Sequence, residues 1–182
     1  MTLRQPAATV VRTWLLPALL GLAACAQLPS SSGERFTGRL ALRVDGDAER
    51  SVSGGFELSG DAEQGELRLT TPLGTTAAQA RWRPGEALLN GNGPIPHRFA
   101  TLDQLTAATL GEPLPMAALF DWLHGRPWPR AASVPRADGE PGFEQLGWQV
   151  GLSRWSEGWL DARRSEPPPG VTLRIRLDRN PS

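Results

Sequence analysis

The sequence predicts a mainly antiparallel β domain with two short α-helices inserted between its strands. Three observations favour this class: apolar and polar residues alternate over most of the chain, glycine and proline punctuate the alternating runs, and the middle of the chain changes to a helical period. Alternation with period two is typical of antiparallel strands that bury one face. From the spacing of the runs we expect roughly nine to eleven strands.

The strands before the helices form short alternating segments. Phe36, Gly38, Leu40, Leu42 and Val44 share one face, while threonine, alanine and arginine occupy the other. The same period recurs three times before residue 84, with apolar faces made by Val52, Gly54, Phe56 and Leu58, by Leu67 and Leu69, and by Ala78, Ala80 and Trp82. Turn-forming residues separate these segments, which together predict an antiparallel meander.

The first helix is predicted just after residue 100. Residues 101–104 (TLDQ) have the form of a capping box, in which the Thr101 hydroxyl and the Gln104 side chain satisfy the opening amides. Leu102, Leu105 and Thr109 follow at helical spacing, so we expect one short amphipathic helix here.

The second helix has the stronger pattern. Its apolar residues recur at i, i+3, i+4 and i+7, as Met116, Leu119, Phe120 and Leu123. Pro115 marks the start, and Gly125 marks the end as a helix-stopping residue.

Alternation resumes after the helices and continues to the end of the domain. The apolar faces are Leu146, Trp148, Val150 and Leu152, and then Val171, Leu173, Ile175 and Leu177. So many antiparallel strands in one domain either form a sandwich or curl toward a barrel. A curled sheet encloses a small apolar ligand in some proteins, but a filled core is commoner, and periodicity does not distinguish the two.

The N-terminus predicts export and lipid attachment. Arg4 and Arg12 precede an apolar stretch at residues 13–24 (TWLLPALLGLAA), which has the length of a signal peptide and is too short to span a bilayer. Residues 22–25 (LAAC) resemble the lipobox of bacterial lipoproteins, in which the cysteine is lipidated and becomes the mature N-terminus. Cys25 is the only cysteine of the chain. We therefore expect a signal peptide at 1–24, lipidated Cys25 with a flexible tether at 25–35, and the folded domain at 36–182.

Charge and motifs argue against several other classes. The mature chain would carry 17 arginines against 19 acidic residues, which gives no basic footprint for nucleic acid. His97 and His124 flank the helical region without a metal-binding spacing, and no G-x-S-x-G or phosphate-binding loop occurs. At the end of the second helix, His124 is expected to be a C-terminal cation or hydrogen-bond donor. We expect a binding protein with no cofactor, no metal and no enzymatic activity.

Several fragments together resemble the LolB family of outer-membrane lipoproteins. They occur in order along nearly the whole chain, as residues 36–43 (FTGRLALR), 54–58 (GGFEL), 69–75 (LTTPLGT), 119–127 (LFDWLHGRP) and 147–148 (GW). The resemblance implies an open, incomplete antiparallel β-barrel with a short helical lid, as in the periplasmic carrier LolA. It also implies a monomer anchored in the outer membrane with its domain facing the periplasm.

The resemblance further implies a function. Such a protein accepts acylated lipoproteins from a LolA-like carrier into an apolar cavity and inserts them into the inner leaflet of the outer membrane. On this basis we expect the cavity to be lined by Leu40, Leu42, Phe56, Leu67, Leu69, Trp82, Trp148 and Leu152, with Met116, Leu119, Phe120 and Leu123 on the lid. The alternative is a lipid-anchored periplasmic module that binds another lipid or hydrophobic ligand.

Leu73 is a separate candidate. It lies between Pro72 and Gly74 in a predicted turn, where a leucine either is exposed or packs back on the sheet. A single exposed leucine is common and needs no functional explanation. In the LolB family, however, the corresponding loop carries a protruding leucine that puts cargo into the membrane, so the resemblance implies this role for Leu73.

Overall fold

The structure is a computed structural model that describes residues 34–91, 93, 95–110 and 113–178. The predicted signal peptide, Cys25 and the tether as far as residue 33 lie outside these residues. The first strand begins at Glu34, two residues before the predicted start of the domain at Phe36. Neither helix in the described part of the chain is long and apolar enough to cross a membrane.

One antiparallel sheet contains the eleven strands of the described residues. The strands are β1 (Glu34–Val44), β2 (Asp47–Gly60), β3 (Gly65–Thr70), β4 (Thr76–Arg83), β5 (Glu86–Asn90), β6 (His97–Phe99), β7 (Ser133–Pro135), β8 (Gly142–Gln145), β9 (Trp148–Gly151), β10 (Trp159–Arg164) and β11 (Val171–Leu177). Their order in the sheet is β6-β5-β4-β3-β2-β1-β11-β10-β9-β8-β7. The sheet is a meander whose two halves join where β1 pairs with β11, and β6 and β7 remain as its edges. The predicted open antiparallel barrel is confirmed.

Two glycines on the inner face allow neighbouring strands to approach closely. A β-carbon at Gly38 would lie 2.1 Å from the carbonyl oxygen of Arg176, and one at Gly54 would lie 2.0 Å from that of Thr70. Both distances are far below a van der Waals contact, so only glycine fits at these positions. Glycines at such sites mark bends in curled sheets. The curvature of β1 and β2 therefore depends on Gly38 and Gly54.

The β8–β9 hairpin corrects the predicted alternation at residue 146. Leu146 and Gly147 have φ angles of 54° and 77° and form a two-residue turn, flanked by the paired residues Gln145 and Trp148. Type I′ turns, which are common in two-residue hairpins, require positive φ at both central residues. Leu146 is therefore a turn residue rather than a member of the inner face.

Helix α1 (Leu102–Leu110) begins with the predicted cap. The Gln104 amide donates to Thr101 Oγ1 at 3.1 Å. The Gln104 side-chain oxygen accepts from the Ala100 amide at 3.2 Å, one residue before the position that a standard capping box uses. The reciprocal cap satisfies two donors, and the predicted helix start is confirmed.

Helix α2 (Met116–Leu123) ends where the sequence predicts. Gly125 has φ 73° and donates to the Trp122 carbonyl at 2.8 Å, and the Arg126 amide donates to the Asp121 carbonyl at 3.2 Å. These two bonds form a Schellman motif, which requires a left-handed residue after the helix and so favours glycine. Helices α1 and α2 both lie between β6 and β7 in the chain, as expected for a lid inserted into the sheet.

The interior beneath β7–β10 is filled by large aromatic side chains. The Trp122 ring lies 6.1 Å from Trp148 and 6.3 Å from Phe143, centroid to centroid. Gln145 is buried among them and uses its full hydrogen-bonding capacity. Its side-chain oxygen accepts from Trp122 Nε1 and the Trp128 amide, and its nitrogen donates to the carbonyls of Trp128 and Ala131, at 2.8 to 2.9 Å. This network fixes the segment after α2 to β8.

Candidate functional site

An apolar cavity lies between the two helices and the inner face of β1–β5 and β11. Its volume is about 210 Å³. The sheet register stacks aliphatic side chains in rows across its wall: Leu42 pairs with both Leu173 and Val52, and Leu67 pairs with both Leu58 and Ala80. Because each row uses alternate residues of adjacent strands, the cavity wall is the inner face of the sheet itself.

Eight of the twelve predicted cavity residues lie together in this wall. They are Leu40, Leu42, Phe56, Leu67, Leu69, Met116, Leu119 and Leu123. The three from α2 occupy positions i, i+3 and i+7, so they form one stripe that faces the sheet. The opposite side of α2, which includes Ala118 and Trp122, is buried, with Trp122 packed in the aromatic interior beneath β7–β10.

Trp82 and Phe120 do not line the cavity, contrary to the prediction. Their rings pack against each other with centroids 6.3 Å apart, and Phe36 lies 6.5 Å from Phe120. Trp82 also donates through Nε1 to the Asp61 carbonyl at 2.9 Å. Trp82 is two residues beyond the wall residue Ala80 on the same face of β4, so these aromatic rings close the end of the sheet where β1 begins.

Trp148 and Leu152 are also placed elsewhere. Trp148 is buried against Trp122 in the filled part of the interior. Leu152 follows the end of β9 and is half-buried, with its amide donating to the Pro141 carbonyl at 2.8 Å. Alternation correctly assigns Trp148 to the inner face of the sheet. That face extends beyond the cavity, however, and the residues of β9 lie outside the cavity wall.

Other wall residues were not predicted as cavity residues. They are Val52, Leu58, Ala78, Ala80, Leu89, Leu102, Leu105, Leu114, Leu173 and Ile175, together with the polar residues Glu49, Arg50, Thr106 and Thr109. Most of the apolar ones belong to the alternating or helical patterns already described, and pairing with predicted wall residues would have selected them. Leu173, for example, lies directly opposite Leu42. The alternating patterns do not show that the last strand, β11, pairs with the first strand, β1.

The cavity opens at one end of the sheet. Glu49 and Arg50 are exposed lining residues near the start of β2, beside the turn that joins it to β1. Thr109, on α1, is a third exposed member of the lining. Thr106 is buried, and its hydroxyl is already engaged, because it donates to the Asp103 carbonyl and accepts from the Leu114 amide. The exposed polar residues therefore lie at the opening, and apart from Thr106 the interior surface is apolar and mostly aliphatic.

Leu73 lies at the tip of the β3–β4 turn, at the same end of the sheet as this opening. Its side chain is 91% exposed. The turn is closed by hydrogen bonds beneath it: the Thr71 amide donates to the Thr75 carbonyl at 2.8 Å, and the Gly74 amide donates to the Thr71 carbonyl at 2.9 Å. The predicted turn therefore holds Leu73 outward in water and does not pack it back on the sheet.

The structure gives His124 a hydrogen-bonding role. Its Nδ1 donates to the Phe120 carbonyl at 2.7 Å, and its Nε2 lies 2.7 Å from a carboxylate oxygen of Glu34. This agrees with the predicted donor at the end of α2. Within the described residues, no three His, Cys, Asp or Glu side chains are grouped so that they could hold a metal ion.

Comparisons with known proteins identify the family. The family described as "Outer membrane lipoprotein LolB" matches residues 35–179. The chain is 35% identical to the outer-membrane lipoprotein LolB of Bordetella petrii, with 92% of each chain covered, and 37% identical to that of Bordetella pertussis, with 85% of each covered. It is 32% identical to the outer-membrane lipoprotein LolB of Cupriavidus pinatubonensis over 90% of its own length and 84% of the relative. The chain therefore belongs to the LolB family of outer-membrane lipoproteins.

Proposed function

We propose that this protein takes the acyl chains of other lipoproteins from a LolA-like periplasmic carrier into its cavity and releases them into the inner leaflet of the outer membrane. The observation that carries the proposal is an aliphatic cavity beneath a helical lid, in a member of the LolB family. An apolar cavity whose exposed polar residues lie at the opening, and whose buried Thr106 hydroxyl is already hydrogen-bonded, suits a chain of methylene groups better than a polar metabolite.

The energetics favour a direct handoff between proteins. Transfer of one methylene group into water costs about 0.8 kcal/mol, so exposing several acyl chains costs on the order of tens of kcal/mol. Unaided crossing of an aqueous compartment would then be negligible. If the carrier and this protein meet opening to opening, the chains stay shielded, and the difference in affinity sets the direction. The proposed process needs neither nucleotide hydrolysis nor a catalytic residue.

The size of the cavity implies that the lid moves. A cavity of about 210 Å³ holds roughly seven water-sized groups, at ~30 Å³ for each water. A methylene group is similar in size to water, so this space is too small for one whole long acyl chain. A cargo with several chains would need α1 or α2 to move away from the sheet. Helix α1 borders the cavity through Leu102, Leu105, Thr106 and Thr109. The two leucine side chains form no hydrogen bonds, and the Thr106 hydroxyl bonds only to Asp103 and Leu114, which belong to the helical segment itself.

The proposed domain organisation serves this function. Removal of residues 1–24 and lipidation of Cys25 would anchor the chain in the membrane that receives the cargo. Ala26 lacks the acidic side chain that retains lipoproteins in the inner membrane of enterobacterial relatives. Replacing the signal region with a cleavable, non-lipidated one should weaken localisation more than cargo acceptance. A soluble version that accepts no cargo would show that Cys25 has a larger role.

Leu73 is proposed to deliver cargo at the membrane. It protrudes at the end of the sheet where the cavity opens, so one surface could present both the exit and an apolar anchor to a bilayer. Leu73→Glu should leave folding and cargo acceptance unchanged and stall delivery to liposomes, because a carboxylate in an apolar environment is strongly disfavoured. Leu73→Ile is the matched control, since it keeps an apolar side chain of equal size. Normal delivery by Leu73→Glu would contradict the proposed role.

Reconstitution tests the whole proposal. A carrier loaded with lipoprotein is mixed with this protein, and transfer to it and then to liposomes is followed without ATP. We expect both transfers to occur. Failure of both would leave the alternative of a lipid-anchored module that binds another hydrophobic ligand.

A further inference from the structure

Large apolar side chains are strongly exposed at a few positions of the described residues. They are Leu73 at 91%, Ile95 at 75%, Val134 at 56% and Leu146 at 45%. Isolated exposed side chains are common and carry little information by themselves. The position of Ile95 relative to Leu73 is what makes it informative.

Ile95 and Leu73 lie at the same end of the sheet. Strands β3 to β6 form a continuous antiparallel meander, so the β3–β4 and β5–β6 connections both emerge at the end where the cavity opens, while the β4–β5 turn lies at the other end. The two connections are two strand spacings apart, which is about 10 Å. Leu73 and Ile95 are therefore neighbouring apolar projections at the end of the sheet where the cavity opens, which we call the rim.

These two connections differ from other turns on the rim in charge. Residues 70–76 (TTPLGTT) and 91–96 (GNGPIP) contain no charged side chain. The β1–β2 turn at the same end carries Asp45 and is followed by Asp47. Leu146 lines a hollow together with Glu144, Arg163 and Glu166. Among the described turns at this end of the sheet, the β3–β4 and β5–β6 connections alone combine a strongly exposed apolar side chain with a segment that has no charged residue.

We propose that Ile95 is a second membrane-contact residue, which enters the phospholipid bilayer beside Leu73 during delivery. This inference rests on the proposed membrane role of Leu73. Two separate side chains are too small a surface for a stable protein partner, which needs about 800 Å² on each side. A bilayer imposes no such requirement, because each apolar side chain that enters it contributes independently.

A second contact point removes one of the rotations relative to the membrane that a single contact leaves free. The strands that carry the two turns also supply Leu67, Leu69 and Leu89 to the cavity wall. When Leu73 and Ile95 both enter the bilayer, the ends of these wall strands face the lipid. The acyl chains then leave along an apolar wall that continues to the membrane surface.

Fluorescent labels at single cysteines test the contact directly. Because the chain has only Cys25, which lipidation would block, Ile95→Cys and Leu73→Cys each provide one reactive thiol in the full lipidated protein. Each variant carries an environment-sensitive dye and is placed in phosphatidylethanolamine–phosphatidylglycerol vesicles with nitroxide-labelled acyl chains. We expect lipid quenching of the dye at positions 95 and 73, and none at Glu63→Cys in the β2–β3 turn at the opposite end. Quenching at 73 but not at 95 overturns the inference and leaves the proposed function intact, whereas quenching at neither overturns the membrane role of both.

The rate at which the protein transfers cargo to liposomes is the functional measurement. Ile95→Glu should slow transfer from the protein to liposomes by about tenfold, because the apolar transfer energy of one isoleucine is lost and a charge is added. Uptake from the carrier should not change. Leu146→Glu is the matched control at a less exposed turn on the same rim, and it should deliver normally. Normal delivery by Ile95→Glu overturns the inference, as does equal impairment by Leu146→Glu, since any carboxylate on the rim would then act alike.

Discussion

The two halves of the sheet bury their inner faces in different ways. In the filled half, β7–β10, three large rings from Trp122, Phe143 and Trp148 occupy the interior. In the cavity half, β1–β5 with β11, the wall is mostly leucine and alanine, and about 210 Å³ stays empty. Both halves follow the same alternating pattern, so the volume of the inner side chains, and not their periodicity, decides whether the curled sheet encloses a filled core or a cavity.

The halves also differ in how the lid is attached. On the filled side, Trp122 and the segment after α2 are held by the four hydrogen bonds of Gln145. On the cavity side, α1 and α2 face the sheet through aliphatic side chains. Directional bonds resist displacement, while aliphatic contacts re-form after sliding. The filled half therefore holds α2 in place, and α1 is the part of the lid that we propose moves.

Truncation of Trp122 should give the largest effect on stability. Trp122→Ala removes a fully buried ring and leaves Gln145 short of one donor, so we expect a loss of about 3–5 kcal/mol in the free energy of unfolding. Leu69→Ala in the cavity wall should cost clearly less, because Leu69 already borders empty space and is only half-buried. Urea unfolding followed by circular dichroism measures both. Equal losses would mean that the two halves are packed alike.

Enlarging an alanine should have opposite consequences in the two halves. Ala162 is 1% exposed on β10, in the packed part of the sheet, so Ala162→Phe should destabilise by about 1–3 kcal/mol through overpacking. Ala78 borders the cavity, so Ala78→Phe has space to occupy and should change stability by less than about 1 kcal/mol. Thermal unfolding of the two variants provides the comparison. A larger loss for Ala78→Phe would show that the cavity cannot take an added ring.

Removing a charge from the outer face of the cavity half should change the free energy of unfolding less than the core substitutions above. Burial acts to raise the pKa of Glu66, but hydrogen bonds from Gln79, Arg81 and Arg68 outweigh it, so the pKa lies below its ordinary value of 4.5. A lowered pKa means that the ionised form stabilises the fold above the unfolded-state pKa and that this contribution disappears as the pH falls through the native pKa. Glu66→Gln should therefore cost up to about 1 kcal/mol at pH 7. Its urea midpoint should converge with that of the parent protein at acidic pH, and a constant difference would contradict this origin.

The alternating patterns were sufficient to predict most of the inner face, whereas the open barrel was predicted from the family resemblance. Leu40, Leu42 and Phe56 are on that face because antiparallel strands expose alternate residues to opposite sides. Gly125 and the capping residues of α1 predicted the helix boundaries because their chemistry is local. These features need no knowledge of distant contacts.

Where a residue lies along the inner face of the sheet, and therefore whether it borders the cavity, could not be predicted from alternation. Trp148 has the correct orientation, but its distance from the cavity depends on β1 pairing with β11, which places β9 on the other half. Trp82 alternates in register with the wall residue Ala80, yet it lies one step too far along β4. Phe120 is adjacent to Leu119 in the helix and points to the closed end instead. Long-range strand order and the exact extent of the cavity are not contained in a local pattern.

Cross-linking from the cavity wall tests the central claim most directly. A photo-reactive amino acid is placed at Leu69, which lines the cavity, or at Leu152, which is equally half-buried but lies outside it. Each variant is incubated with a carrier whose lipoprotein cargo has radiolabelled acyl chains, and is then irradiated. We predict that position 69 captures the labelled chains and position 152 does not. Capture at 152 alone, or at both positions equally, would contradict the claim that the cavity of the β1–β5 half receives the cargo.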